Sequence, residues 1–473
     1  MSQKPHIVLV IPRGEAVRNF LYSDTLSELH KTCRVTVLSV VYDEPLLERI
    51  RGNCDAIHPL KEVQPHWIPG YLRTIIENSH DRWIWSKVAQ NNSETRDLRA
   101  RQKGKSLTRF AVKTLARVFA NRTSLNILSR IERSLHWHFR RSKEFETLFQ
   151  ELKPDLVFNG SHIHGFAGEL PLRVAARMGI KTAGFIFSWD NLTSRSRILV
   201  PYDYWFVWHE QMKRQLLDQY DHIRESDVLV TGTPQFDFHF KPQYILSRQE
   251  LCSRIGLDPD RPFILYTTGV DKHFPEEARH LRLVIGMLKD IELSGRPQLV
   301  VRTYVKGTSP ETKVIASENH PDVYFPPVAW DSRWYTPAYA DLEIYSSLVH
   351  YAALSINAAS TVTLEFFLKD KPVINLDFDP PGSNLLPCYG FRRHIRFDHF
   401  KPVAESGGGY VARSPNDLKW MISEGLREPG RHSSERLRFI RSTFEDTVDG
   451  NSGKRVARGL INLAREVKKN RHT

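Results

Sequence analysis

The sequence predicts an α/β protein made of two doubly wound parallel sheets in tandem, facing one another across a cleft. Three observations lead there. Short β-branched and aromatic runs alternate with helix-like stretches along nearly the whole chain, the alternation restarts after Pro234, and 473 residues with 41% hydrophobic content can bury more than one core. The first-half strands fall at 6–12 (HIVLVIP), 34–41, 55–60, 155–161, 181–189, 202–208 and 227–234. A long helical insertion, about 70–150, interrupts them. The second-half strands fall at 261–269, 297–305, 322–328, 354–357, 371–378 and 410–412, the last entered through the turn Gly407–Gly409. Helices rich in Arg and Glu close the chain. The expected domains are 1–225, 226–445, and a closing helix over 446–473. Ligands of such sheets bind outside the carboxyl ends of the strands, so the loops leaving the strands hold the candidate chemistry.

Cysteine and apolar usage exclude several classes. Cys33, Cys54, Cys252 and Cys388 form no CxxC pair and no Cys/His cluster, which excludes a zinc ribbon and a disulfide framework and fits a reducing compartment. The N-terminal apolar run is too short for a signal peptide, and no run approaches the ~20 residues that span a bilayer. A cytoplasmic protein is expected.

Positive charge is concentrated in one place. Residues 96–143 carry fourteen Lys or Arg against Asp97 and Glu132, a surplus of twelve, while the whole chain carries +13. The remainder is nearly neutral, which argues against a general nucleic-acid coat and for one basic appendage. Within it, Leu107, Phe110, Ala111, Leu115, Val118 and Phe119 recur at helical spacing, with Arg109, Lys113, Arg117 and Arg122 largely on other faces. Such a helix either packs on its own domain or docks on anionic lipid, with Arg109, Lys113 and Arg117 facing the membrane. A non-enzymatic nucleic-acid or membrane binder is the alternative of another class. Trp137 and Phe139 could stack on bases, but no RNA-binding signature accompanies them, and no nucleic acid is expected.

The segment SINAASTVTLEFFLKDKPVINLDFD (355–379) holds the densest chemistry. It reads as a strand, a turn of small hydroxylated residues, a helix with a glutamate one turn in, and a second strand. Helix-entry amides and the hydroxyls of Ser360, Thr361 and Thr363 suit a phosphate, and Glu365 can accept from vicinal sugar hydroxyls. A plain helix cap with a favourable first-turn charge explains the same residues. Arg302 and Lys306 leave a strand on one face and could neutralise a diphosphate or form salt bridges. Thr267, Thr268 and Gly269 could admit phosphate oxygens or form an ordinary turn.

This segment resembles the nucleotide-binding half of the GT-B glycosyltransferases. Thr363 and Glu365 match that family's helix start, Pro372 follows the glutamate by seven residues, and Asp377 and Asp379 follow in turn. Asn357 stands where relatives carry His or Glu, and Ala359 replaces a usual glycine. The resemblance implies transfer of a sugar from a nucleotide-sugar donor to a saccharide or lipid-linked acceptor in cell-surface polysaccharide synthesis, on the inner face of the membrane. The missing Glu-x7-Glu signature points to inversion. CDP-polyol phosphotransferases and sugar-nucleotide epimerases of the same fold carry similar segments and are the alternative. An inverting transfer needs a base. The candidates are Glu15, in PRGEAVRN with Arg18 and Asn19, then Asp190, in SWDNLTSRS with Asn191, then His162 or His164. SWDN is similar to a segment of bacterial surface-carbohydrate transferases, although Asp190 or Asn191 could equally cap a helix. No DxD motif lies at a strand end, so no metal and no cofactor are expected, and Lys and Arg would take the ion's place.

Overall fold

A computed structural model of the chain describes residues 4–64, 66–163, 165–291 and 296–472. The backbone separates into two compact units, residues 1–237 with 446–473, and residues 238–445.

The first unit is built on β1 (His6–Ile11), β2 (Arg34–Ser39), β3 (Ala56–Pro59), β4 (Leu156–Asn159), β5 (Lys181–Phe185), β6 (Tyr204–Val207) and β7 (Val228–Val230). They lie in the order β3-β2-β1-β4-β5-β6-β7, and every neighbouring pair is parallel. Every residue of β1 is buried, as a central strand covered on both faces requires. Residues 226–237, expected to open the second domain, instead supply β7 and complete this sheet.

The second unit holds β8 (Phe263–Thr267), β9 (Gln298–Arg302), β10 (Val323–Tyr324), β11 (Leu354–Asn357), β12 (Val373–Leu376) and β13 (Tyr410–Ala412). Its order is β10-β9-β8-β11-β12-β13, again all parallel. Ile264, Val301, Ile356 and Ile374 of the strands pack with Leu281, Val284, Leu418 and Ile422 of the covering helices.

Of the helices, α1 (Asp24–Thr32) follows β1, and the insertion between β3 and β4 contributes α2 (Trp67–Ile84), α3 (Lys87–Gln102), α4 (Ser106–Phe119) and α5 (Arg122–Phe139). Next come α6 (Gly165–Arg177), α7 (Glu277–Leu288), α8 (Tyr339–Tyr351), α9 (Val362–Leu368) and the closing α10 (Ser452–His472). The closing helix belongs to the first unit. Asp237 explains its start: the carboxylate accepts from the Ser452 and Gly453 amides at 3.0 and 2.8 Å, satisfying two otherwise orphaned helix donors. Its apolar face, Val456, Ala457, Leu460 and Ala464, is then buried.

A buried ion network ties the insertion to the sheet. Glu132 of α5 is fully buried and accepts from Arg73 of α2 at 2.7 Å and from Arg173 of α6 at 3.0 Å, while Arg73 also reaches Glu169 at 2.5 Å. Two guanidiniums and two carboxylates pair with one another, which offsets much of their loss of water.

The facing of α4 corrects the sequence reading. Arg109 donates to Asp97 at 2.6 Å and to Asn78 at 2.5 Å, and Lys113 donates to Asp97 at 2.7 Å, so both cations point inward onto α2 and α3. Of the three cations expected on the membrane side, Arg117 alone is exposed.

Replacing Glu132 by Ala is expected to remove about 3–5 kcal/mol of stability, because it strands two buried guanidiniums. Urea unfolding of parent and variant measures it, and a loss below about 1 kcal/mol would mean the network is not what anchors the insertion.

Candidate active site

The second sheet has one topological switch point, between β8 and β11, where the chain turns from building outward through β9 and β10 to building the other way. Crevices form outside the strand ends at such points. The residues that leave β8, β9 and β11 there are Thr267–Gly269, Arg302 and Asn357–Ser360.

One helix face organises them. Asp341 and Tyr345 lie four residues apart on α8 and share a face. Asp341 receives the Arg302 guanidinium, together with the Trp330 indole at 2.7 Å and the Ala329 amide at 3.2 Å. Arg302 is 6% exposed, its guanidinium lies 5.8 Å from the Tyr345 ring centroid, and its buried Nη1 has no hydrogen-bond partner among the described residues. A buried cation with an unused donor is suited to an anion brought from solution. The Tyr345 hydroxyl donates to Glu365, whose other carboxylate oxygen lies 3.7 Å from Nε2 of buried His239. Glu365 is thus held at a fixed position, with one oxygen already engaged, where the sequence reading had both free.

The turn before α9 is pinned from beneath. Asn357 accepts from the Ser360 amide at 2.9 Å, and the Ser360 hydroxyl accepts from the Val362 amide at 3.3 Å. The Thr363 hydroxyl is buried and lies 2.7 Å from Asn375 Oδ1 and 3.3 Å from Asn357 Oδ1. Thr363 is therefore a fastening between β11 and β12, not a ligand contact, and two of the amides expected to face phosphate serve the turn itself. Ser360 and Thr361 keep partial exposure. Ala359 has φ +57°, the left-handed conformation that the missing glycine would adopt without strain.

Gly269 also takes a structural part. A Cβ there would lie 2.0 Å from the Phe274 ring, and its amide donates to Glu277 at 2.8 Å, so the position is small for packing and its donor is spent. Burial pushes the Glu277 carboxyl up to about 8, against the opposing pull of the Gly269 amide and the Tyr266 hydroxyl. Lys306 is half-buried, with its ammonium 5.2 Å from the Tyr335 ring centroid and 5.9 Å from that of Tyr304.

In the first unit the base candidates follow β1, β4 and β5, three adjacent strands. Glu15 is buried and paired with Arg13 at 2.9 Å. Arg18 donates to Asn19 at 2.9 Å and to Gln235 at 3.1 Å, and Asn19 is fully buried, which removes it from an acceptor's reach. Asp190 accepts from the Ser194 hydroxyl at 2.5 Å and from Asn191 at 3.3 Å, and the Asn191 side chain accepts from the Ser188 amide at 2.9 Å. Asp190 stands at the N-cap position of the short helix Asn191–Ser194 but makes no side-chain cap hydrogen bond, so these bonds fix the turn and not the helix start. His162 Nδ1 lies 3.2 Å from the Phe185 carbonyl and 3.3 Å from the Phe187 amide, and burial pushes the ring down to about 3, leaving it a weak base. His164 lies outside the described residues. Among the described residues no group of three or more His, Cys, Asp or Glu could hold a metal ion.

Asp341, Tyr345, Trp330, His239 and Glu277 were not singled out from the sequence. The four-residue spacing in YADLEIYSS shows that Asp341 and Tyr345 share a face, but nothing local says which strands that face meets.

No family model matches the chain, and no curated protein matches it by sequence. Solved structures match its architecture over almost its full length. A Listeria monocytogenes structure assigned as a UDP-N-acetylglucosamine 2-epimerase aligns with a TM-score of 0.56 at 12% identity, covering 98% of this chain and 97% of that one. The Neisseria meningitidis UDP-GlcNAc 2-epimerase bound to UDP-GlcNAc aligns with 0.54 at 13%, covering 97% and 100%. The Methanocaldococcus jannaschii UDP-GlcNAc 2-epimerase aligns with 0.53 at 15%, covering 97% and 99%. The chain therefore has a two-domain, parallel-sheet α/β fold of GT-B type.

Two expectations test this geometry. Ala359→Gly should stabilise the protein by about 1 kcal/mol by relieving the left-handed alanine, read as a raised melting temperature, and a destabilised variant would count against the strain. The Glu277 carboxyl has a folded value of about 8, above its ordinary 4.5, so its stabilising contribution is whole below about 4.5 and is lost as pH rises through about 8. Glu277→Gln does not titrate, so its stability relative to the parent should improve steadily between about pH 5 and about pH 9. A pH-independent difference in denaturation midpoints would show that Glu277 ionises normally.

Proposed function

We propose that this chain is an enzyme acting on a nucleotide sugar, with the diphosphate and sugar end held in the second unit at the strand ends of β8, β9 and β11, and that its reaction is epimerisation of the nucleotide-linked sugar. The observation that carries the reading is the buried Arg302, neutralised by Asp341 yet keeping Nη1 unused, joined through Tyr345 to the fixed carboxylate of Glu365. A guanidinium complements a diphosphate, and a carboxylate complements sugar hydroxyls. The fold neighbours described above support the same chemistry, since two of them are UDP-GlcNAc 2-epimerases, one bound to UDP-GlcNAc. A UDP-linked N-acetylhexosamine is accordingly the first substrate to try.

Glycosyl transfer to a saccharide or lipid-linked acceptor is the second reading. One observation favours it: the basic insertion exposes Leu107, Phe110 and Val118 on α4, a surface for which a reaction confined to a soluble nucleotide sugar has no use.

A thermal-shift panel of UDP, GDP, ADP, CDP and CMP with their common sugars should show a raised melting temperature for one nucleotide. The stabilising sugar nucleotide is then incubated alone and followed by NMR. Inversion at one sugar carbon without an acceptor means epimerisation. A donor stable alone but consumed with an added acceptor means transfer. Binding of no nucleotide sugar would end both readings. Glu365→Ala is expected to weaken nucleotide-sugar binding by about 1–3 kcal/mol, and calorimetry showing undiminished affinity in the folded variant would remove Glu365 from the site. Arg302→Lys keeps a cation beside Asp341 but loses the forked donor, so affinity should fall while activity of the parent persists in EDTA. Activity lost in EDTA and restored by magnesium or manganese would reassign phosphate neutralisation to a metal.

A further inference from the structure

The helix α4 is amphipathic in the reverse sense from an ordinary surface helix. Its inward face carries Val112 and Ala116, both buried, and the two cations Arg109 and Lys113 that pair with Asp97. Half a turn round, Leu107, Phe110, Leu115 and Val118 are exposed by 87, 69, 37 and 63%. Leu107 and Phe110 recur eight residues on as Leu115 and Val118, a little over two helical turns, and the four form one apolar stripe along the solvent side. A soluble helix with no partner places such residues inside, and this stripe has water where a core would be.

The charge around the stripe selects its occupant. Lys103 and Lys105 at the start of α4, Arg101 at the end of α3 and Arg117 at the edge of the stripe are all exposed, and among the described residues no carboxylate pairs with them. The two acids of the segment are consumed within the protein, Asp97 by Arg109 and Lys113, and Glu132 by Arg73 and Arg173. Within residues 96–143 the exposed charge is therefore of one sign. A second copy of this chain would bring the same uncompensated cations against the first, which disfavours self-association. An apolar stripe edged by unpaired Lys and Arg fits an anionic bilayer, with the stripe in the headgroup boundary and the cations among the phosphates.

We propose that the outer face of α4 docks on an anionic lipid bilayer, with Leu107, Phe110 and Val118 as the inserting side chains and Lys103, Lys105 and Arg117 as the headgroup contacts. Among the described residues no helix is long and apolar enough to cross a membrane, so this contact lies in the interface plane. It does not depend on the nucleotide-sugar reading, because α4 is remote in sequence from the second unit and belongs to the first.

Co-sedimentation of the full chain with phosphatidylcholine vesicles, with and without phosphatidylglycerol, tests it. The parent should pellet with the anionic vesicles at low salt, stay in the supernatant with neutral ones, and keep part of its binding at high salt because of the apolar stripe. Phe110→Ser with Val118→Ser, and separately Lys103→Glu with Lys105→Glu and Arg117→Glu, should each lower the partition coefficient by about tenfold or more. The exposed positions of these substitutions predict unchanged melting temperatures and unchanged nucleotide affinity, which keeps this result separate from the test of the donor site. A parent that remains in the supernatant with anionic vesicles at low salt would overturn the proposal. So would serine variants that bind as the parent does, since charge alone would then account for the binding. A parent dimer that Phe110→Ser dissolves would also overturn it, by assigning the face to a second copy.

Discussion

The candidate site depends on one carboxylate. Burying the Arg302 guanidinium at the end of β9 would cost several kcal/mol without a counter-charge, and Asp341 provides it from α8 while also accepting from the Trp330 indole and the Ala329 amide. With three donors converging on it, Asp341 fixes the register of α8 against β9. One turn along that helix, Tyr345 then reaches Glu365. Position in the second half of the chain is thus passed from β9 to α8 to α9 through side chains, and Arg302 and Glu365 are held before any ligand arrives. Groups held in this way need little reorganisation on binding.

The turn between β11 and α9 is fixed by a different means. Asn357, Thr363 and Asn375 form a buried polar cluster that holds the turn from the sheet side, and this cluster keeps Ala359 at φ +57° despite its Cβ. A strained residue survives only where its surroundings over-determine it, and such positions gather at functional sites. The loop leaving β8 is held similarly, by the Gly269 amide on Glu277 and by Phe274 packed where a side chain would be. Several residues that look like ligand contacts in the sequence turn out to build the frame that holds the remaining ones.

The sequence discloses some of this and hides the rest, for identifiable reasons. Strand runs such as HIVLVI and KPVINL announce themselves because a parallel strand buried on both faces must be apolar throughout, so the two-sheet alternation was legible. The domain boundary was less so: the strand at 227–234 was read with the first half although the domain division was set at 225, and nothing local shows that Asp237 caps the closing helix of the first unit. At the site, Arg302 and Glu365 were legible as polar residues at a strand end and a helix start. Their partners Asp341 and Tyr345 were not, since a pair four residues apart looks the same whether it faces water or a buried arginine. Thr363 and Gly269 misled because a hydroxyl or a missing side chain suits a phosphate and a packing contact alike. Only the three-dimensional neighbours, Asn375 in one case and Phe274 in the other, separate the two uses.

The insertion shows the same limit more sharply. Periodicity in residues 106–119 fixes that the apolar and basic residues lie on different faces of a helix, but it does not say which face the protein covers. The neighbouring helix decides. After Val88 and Ala89, α3 runs QNNSETRDLRARQ and offers little apolar surface. What it does offer is Asp97 and Ser93, and Arg109 donates hydrogen bonds to both and to Asn78 of α2. A polar neighbour is best matched by the polar side of α4, so the cations turn in and the leucine and phenylalanine turn out. Had α3 carried an apolar stripe, hydrophobic burial would have set α4 the other way round. The exposed face is therefore written jointly in two helices, and the polar composition of α3 is as much a part of it as Leu107 and Phe110.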